Sequence, residues 1–160
     1  MGLKKPLVLT SGQIQQLQAG DTLDASCSEV DVVAATNSNA GAIVIGKAVY
    51  VDGAGTVDLA QADAAGTVEV LGLVKDASIG IAGAGNIQTD GVLTATTDQW
   101  DAAAGTTGGL TAGTVYYLDP DTAGLLTETA PSSVGDYVVR VGVALSTLAL
   151  DISTTAPMLL

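Results

Sequence analysis

One pattern constrains this chain more than any other. A series of short apolar runs set between glycines occurs twice. Gly46-Lys-Ala-Val-Tyr-Val-Asp aligns with Gly113-Thr-Val-Tyr-Tyr-Leu-Asp. Gly55-Thr-Val-Asp-Leu aligns with Gly124-Leu-Leu-Thr-Glu, and Gly66-Thr-Val-Glu-Val-Leu-Gly-Leu-Val with Gly135-Asp-Tyr-Val-Val-Arg-Val-Gly-Val. Internal repetition of this kind points to a duplicated β-unit, here about 46–74 and 113–145. The offset between the copies grows by one residue between the Gly66/Gly135 pair and the Gly72/Gly142 pair. A slip of one residue turns every following side chain to the opposite face, so one copy is expected to carry a β-bulge.

The residue types agree with short strands. Hydrophobic residues make up 48% of the 160 positions, yet aromatics are only 3% and Phe is absent, so Val, Leu, Ile and Ala must fill the core. Twenty glycines supply frequent turns. The expected fold is mainly β: a barrel- or sandwich-like body built from the duplicated unit, with one or two short helices and an extended N-terminal arm. Residues 1–24 read as the arm, 25–152 as the body and 153–160 as a tail. Strands are expected over Val30–Ala35, Lys47–Val51, Thr56–Leu59, Thr67–Val74, Thr114–Leu118, Leu125–Thr129, Asp136–Leu145 and Leu148–Ile152. Period-two alternation in Asp136–Leu145 places Tyr137, Val139, Val141, Val143 and Leu145 on one face. Ala60–Ala65 suits a single helical turn. Thr97–Ala104 is the best helix, capped by Thr97 or Asp98 and ended by Gly105. Trp100, Tyr116, Tyr137, Val139 and Val141 are the expected core anchors.

Charge narrows the function. Seventeen acids against five bases give a net charge of −12. No basic patch is available to neutralise phosphates, so direct nucleic-acid binding is not expected. No apolar run approaches the ~18 residues that span a bilayer, and Pro6 interrupts the short apolar start, so neither a membrane segment nor a signal peptide is expected. The single cysteine, Cys27, rules out an internal disulfide framework, and a chain without histidine offers it no imidazole for activation. Asp119-Pro-Asp121-Thr-Ala-Gly124 starts like a calcium loop, but the twelfth position is Ala130 where a bidentate acid is needed. Gly83-Ala-Gly85 lacks the third glycine of a dinucleotide loop, since residue 88 is Gln. No catalytic residue, metal ligand or cofactor is expected.

Two stretches resemble a known family. Lys5-Pro-Leu-Val-Leu-Thr-Ser-Gly-Gln-Ile-Gln-Gln-Leu-Gln-Ala-Gly-Asp-Thr-Leu resembles the opening of many tailed-phage structural proteins. Gly108-Gly-Leu-Thr-Ala-Gly-Thr-Val-Tyr-Tyr-Leu-Asp, with the Leu-Thr, Ala-Pro and Val-Gly-Val-Ala-Leu-Ser elements after it, is similar to a module of phage head decoration, head-fibre and tail-fibre proteins. The resemblance implies a multicopy β-rich virion protein. The short chain points to capsid decoration (cement) on the outside of the head, with the major capsid protein as partner. A homo-oligomer is implied, a trimer ahead of a dimer. Lys4, Lys5, Pro6, Leu7, Val8 and Leu9 are the candidate capsid-binding residues, able to add a strand to a capsid edge. The alternatives are a head-fibre or tail-fibre component that attaches to the host surface, and a small glycan-processing enzyme.

Overall fold

The computed structural model of the chain describes residues 7–10, 13–16 and 31–160. Of the residues singled out above, Lys4, Lys5, Pro6 and Cys27 lie outside that range. An antiparallel ribbon, β1 (Leu7–Thr10) with β2 (Gln13–Gln16), stands in the N-terminal arm. The body begins with β3 (Val32–Asn37), β4 (Ile43–Val44), β5 (Ala48–Gly53), β6 (Thr56–Leu59), β7 (Val70–Val74), β8 (Ser78–Ile79) and β9 (Ala84–Gln88). It continues through β10 (Gly91–Thr94), helix α1 (Thr97–Ala104), β11 (Val115–Leu118), β12 (Leu126–Thr127), β13 (Tyr137–Val138), β14 (Arg140–Ser146), β15 (Ala149–Ile152) and β16 (Met158–Leu159). The protein is mainly β, and α1 is the one helix among the described residues. Ala60–Ala65 forms turns where a helical turn was expected.

The duplication is larger than the sequence alone suggests. Strands β3-β6-β5-β7-β9 close into a five-stranded barrel, and β10-β15-β14-β11-β12 form a five-stranded sheet. Taken strand for strand, the two have the same order, with β3, β9, β7, β5 and β6 matching β10, β15, β14, β11 and β12. The registers agree: Val32 opposes Gln88 in the first unit, and Val92 opposes Asp151 in the second. Ala48 opposes Leu73 as Val115 opposes Val143. The turn glycines also correspond, with Gly46 and Gly113 at φ 81° and 80° and Gly55 and Gly124 at 80° and 73°. Only a residue without Cβ takes these angles at no steric cost.

Both copies carry a bulge, and at the same place. Register shifts between Val49 and Tyr50 against β7, and between Tyr116 and Tyr117 against β14. The one-residue change of offset therefore has another origin: the segment before β14 is one residue longer than its counterpart before β7. That segment holds β13, which pairs with β16 at the end of the chain. The bulge also corrects the expected alternation along Asp136–Leu145. Val139 and Val141 are buried, but beyond the bulge the inward positions pass to Gly142 and Ala144, leaving Val143 half-buried and Leu145 56% exposed.

Two apolar clusters hold the body together. Ala35, Val49, Val57, Val74 and Ile87 fill the barrel, with Ile43 and Ile79 of the β4–β8 pair. At the matching positions the second unit has Ala95, Tyr116, Leu126, Ala144 and Leu150. That second cluster reaches across to the outside of the barrel and includes Ile45, Ala48, Ala60 and Leu73. Trp100 and Ala103 of α1 sit against Gly46, where an added Cβ would lie 2.9 Å from the Ala103 Cβ. The two units thus share the second cluster, while the first belongs to the barrel.

The reason the second unit stays open lies at Thr96. In the barrel, the Thr36 N–H donates to the Gly55 carbonyl at 2.9 Å, helping to tie β3 to β6. Thr96 is the equivalent residue, but its N–H donates to the Gln99 side chain at 2.9 Å while its hydroxyl accepts from the Gln99 N–H. This reciprocal cap starts α1, one residue ahead of the expected cap, and Gly105 ends the helix in the left-handed conformation. The carbonyl of Gly124, equivalent to that of Gly55, accepts instead from the Ala48 N–H of the first unit at 3.1 Å. The Gly124 N–H donates to the Ala60 carbonyl at 2.6 Å. Helix capping diverts the strand, and the peptide it leaves free bonds the two units together.

Candidate functional site

Three features are candidates for function. The first is the N-terminal ribbon. Leu7, Val8 and Leu9 of the candidate docking segment lie on β1, opposite Gln16, Gln15 and Ile14. Among the described residues β1 and β2 pair only with each other, and a two-stranded ribbon is marginal in water by itself.

The second is a cleft of about 230 Å³ beside the turn Asp119–Gly124. Asp119, Asp121 and Asp136 line it with Thr129, Ser132 and Ser133. The Asp119 carboxylate accepts from the N–H groups of Asp121 and Thr122 at 2.8 and 2.7 Å, so it shapes its own turn. The Pro120 carbonyl accepts from the Gln61 side chain at 2.8 Å, anchoring the turn to the first unit. Burial pushes the Lys47 ammonium pKa down, with the Asp119 charge opposing it. Among the described residues, no group of three or more His, Cys, Asp or Glu is placed to hold a metal ion. Among the same residues, no helix is long and apolar enough to cross a membrane.

The third is a set of polar anchors that sequence reasoning missed. Tyr116 fills the second unit, and its hydroxyl donates to Glu128 at 2.6 Å while accepting from the Thr111 N–H at 3.0 Å. Burial, then the bond to Glu128, raises the Tyr116 pKa; the same hydroxyl holds the Glu128 carboxyl below its usual value. Asp101, in α1, accepts from the N–H groups of Gly109 and Gly108, which hold its pKa down. Buried Asn37 donates to the carbonyls of Gly41 and Ile79, both at 2.9 Å, and accepts from the Asn39 N–H. A carboxylate ahead of a Gly-Gly pair was the available signal for Asp101. Asn37 and Glu128 gave none, because their partners are distant in sequence or backbone atoms. Of the expected core anchors, Trp100, Tyr116, Val139 and Val141 are buried and Tyr137 is half-buried.

These anchors set a pH dependence. Asp101 and Glu128 bind protons less readily folded than unfolded, so their stabilisation is complete above about pH 5 and is lost as pH falls through their depressed values. The melting temperature is expected to fall on acidification below about pH 5, and Asp101→Asn should flatten that slope. Tyr116 acts at the other end: its raised value gives stability present below about pH 10 and lost above. Calorimetric melting of wild type and variant from about pH 3 to pH 7 checks the acid limb.

Of the cleft carboxylates, Asp119 is engaged by the N–H groups of its own turn, and away from the cleft Asp101 holds the loop at Gly108–Gly109 while Glu128 holds the Tyr116 hydroxyl. The chain matches no protein-family model, no curated protein and no solved structure.

Proposed function

We propose that this chain is a decoration protein of a tailed-phage head, bound to the outer surface and bridging major capsid subunits. The observation that carries the reading is the division of labour in the fold. Two β-units are joined through one shared apolar cluster, while the β1–β2 ribbon holds the apolar segment Leu7–Leu9. A rigid body resists deformation of a lattice, and a short ribbon can add to a neighbour's sheet through main-chain hydrogen bonds. The net charge of −12 supports an outward position, away from packed nucleic acid.

The test mixes purified protein with undecorated heads and measures co-sedimentation. Full-length protein is expected to bind, and a variant lacking residues 1–12 to remain folded by circular dichroism yet stay in the supernatant. Equal binding by the truncated protein overturns the role of the ribbon. Failure of both to bind heads, with antibody labelling of fibres or spikes, turns the reading to an adhesive fibre component.

A further inference from the structure

The two units treat one surface row differently. In the barrel, the row Val32–Gln88–Leu73–Ala48 runs across β3, β9, β7 and β5 on the outer face. Leu73 and Ala48, which belong to the cluster shared with the second unit, are 0% exposed and Gln88 is 1% exposed, while Val32 at the end of the row is 40% exposed. The matching row of the second unit is Val92–Asp151–Val143–Val115. There Val92 is 36% exposed and the other three are half-buried. The same fold presents the same row twice: Gln88, Leu73 and Ala48 are buried in the first unit, and their counterparts Asp151, Val143 and Val115 are only half-buried in the second.

We infer that the outer face of the β10–β15–β14–β11 sheet is a docking surface for a second copy of this chain, face against face. Charge selects that occupant. The chain carries 17 acids and 5 bases, so most of its surfaces repel their own kind. This face carries one charge of each sign, with Arg140 beside Tyr117 and Asp151 beside Val143 on the same side of the sheet. A two-fold axis near Val143 brings Arg140 of each copy toward the partner's Asp151, the reciprocal contact that a two-fold pair requires. Strand spacing makes the face roughly 20 Å by 20 Å, below the ~800 Å² per partner of a standard stable interface, so the pair should be weak. It is a two-fold pair in place of the three-fold group that the resemblance implies.

The test is sedimentation velocity of the full chain from about 1 μM to about 500 μM. Wild type is expected to pass from monomer to dimer across that range. Val143→Glu should raise the dissociation constant at least ~10-fold with an unchanged circular dichroism spectrum. Arg140→Glu and Asp151→Lys should each weaken the dimer, and the double variant should restore it. A wild type that stays monomeric throughout overturns the inference, as does a dimer indifferent to Val143→Glu. Restoration in the double variant distinguishes the two-fold pairing from a misfolded surface; its absence overturns the pairing of Arg140 with Asp151. None of these results depends on the binding of heads.

Discussion

Alanine at Gly72 or at Gly142 is expected to destabilise the protein by about 3 kcal/mol or more, and the two effects should be similar in size. Each glycine lies on the inner side of a bulged strand, pressed against the next strand. An added Cβ at Gly72 would run into the Gln88 carbonyl, and one at Gly142 into the Asp151 carbonyl. Neither obstacle is the movable end of a side chain; both are backbone atoms of a neighbouring strand, so the strands would have to part. Gly55→Ala is the control. Its φ of 80° disfavours alanine, but nothing lies within 4 Å of the added Cβ, so the cost should stay near 1 kcal/mol. Urea denaturation followed by circular dichroism measures all three. A Gly72→Ala protein within about 1 kcal/mol of wild type would show that the close approach is not a constraint.

The second large effect is at Trp100. The only tryptophan is 0% exposed, packs against Gly46 of the first unit and donates from Nε1 to the Leu148 carbonyl at 3.0 Å. Trp100→Ala should cost about 3–5 kcal/mol, from lost burial, the cavity left behind and an orphaned carbonyl. The position adds a qualitative expectation. Because α1 lies between the units, its loss should uncouple them, and the single unfolding transition should broaden or split. Trp100→Phe, which keeps most of the volume but not the donor, should retain one transition at an intermediate midpoint. A Trp100→Ala protein that still unfolds in one sharp step would mean that the remaining contacts, among them the Gly124 peptide and the Gln61–Pro120 bond, suffice to couple the two units.

How much of this was visible in the chain follows from where its information is local. The Gly46/Gly113 and Gly55/Gly124 pairs were legible because a left-handed turn admits few residues other than glycine, so both copies keep it. The same holds for Gly72 and Gly142, where backbone crowding excludes any side chain. The outer strands of the repeat were not recognised as copies. β3 and β10 share only Val32/Val92, Ala35/Ala95 and Thr36/Thr96, and a short strand half open to solvent tolerates many residues. The period-two reading of β14 failed beyond Val141 because a bulge is a property of pairing, absent from either strand alone. Strand ends were also misplaced: the Thr67–Val74 run is a strand only from Val70, and Leu125–Thr129 shrinks to Leu126–Thr127. Of the candidate site, the apolar run Leu7–Leu9 was readable as extended chain. The Tyr116–Glu128 bond and the half-buried outer row were not, since both depend on which strands become neighbours.

The cap at Thr96 and Gln99 also bears on how the molecule avoids clumping. A barrel that fails to close leaves a rim of unspent peptide groups, the kind of edge on which unrelated chains template themselves. Here the rim is taken up by the half of the chain made first. Synthesis runs from the N-terminus, so the strands that carry Ala48 and Ala60 leave the ribosome before the turn at Gly124 does. The sticky half is never without its receiver, whereas a fragment starting at residue 91 would meet water, or its own siblings, with that rim bare.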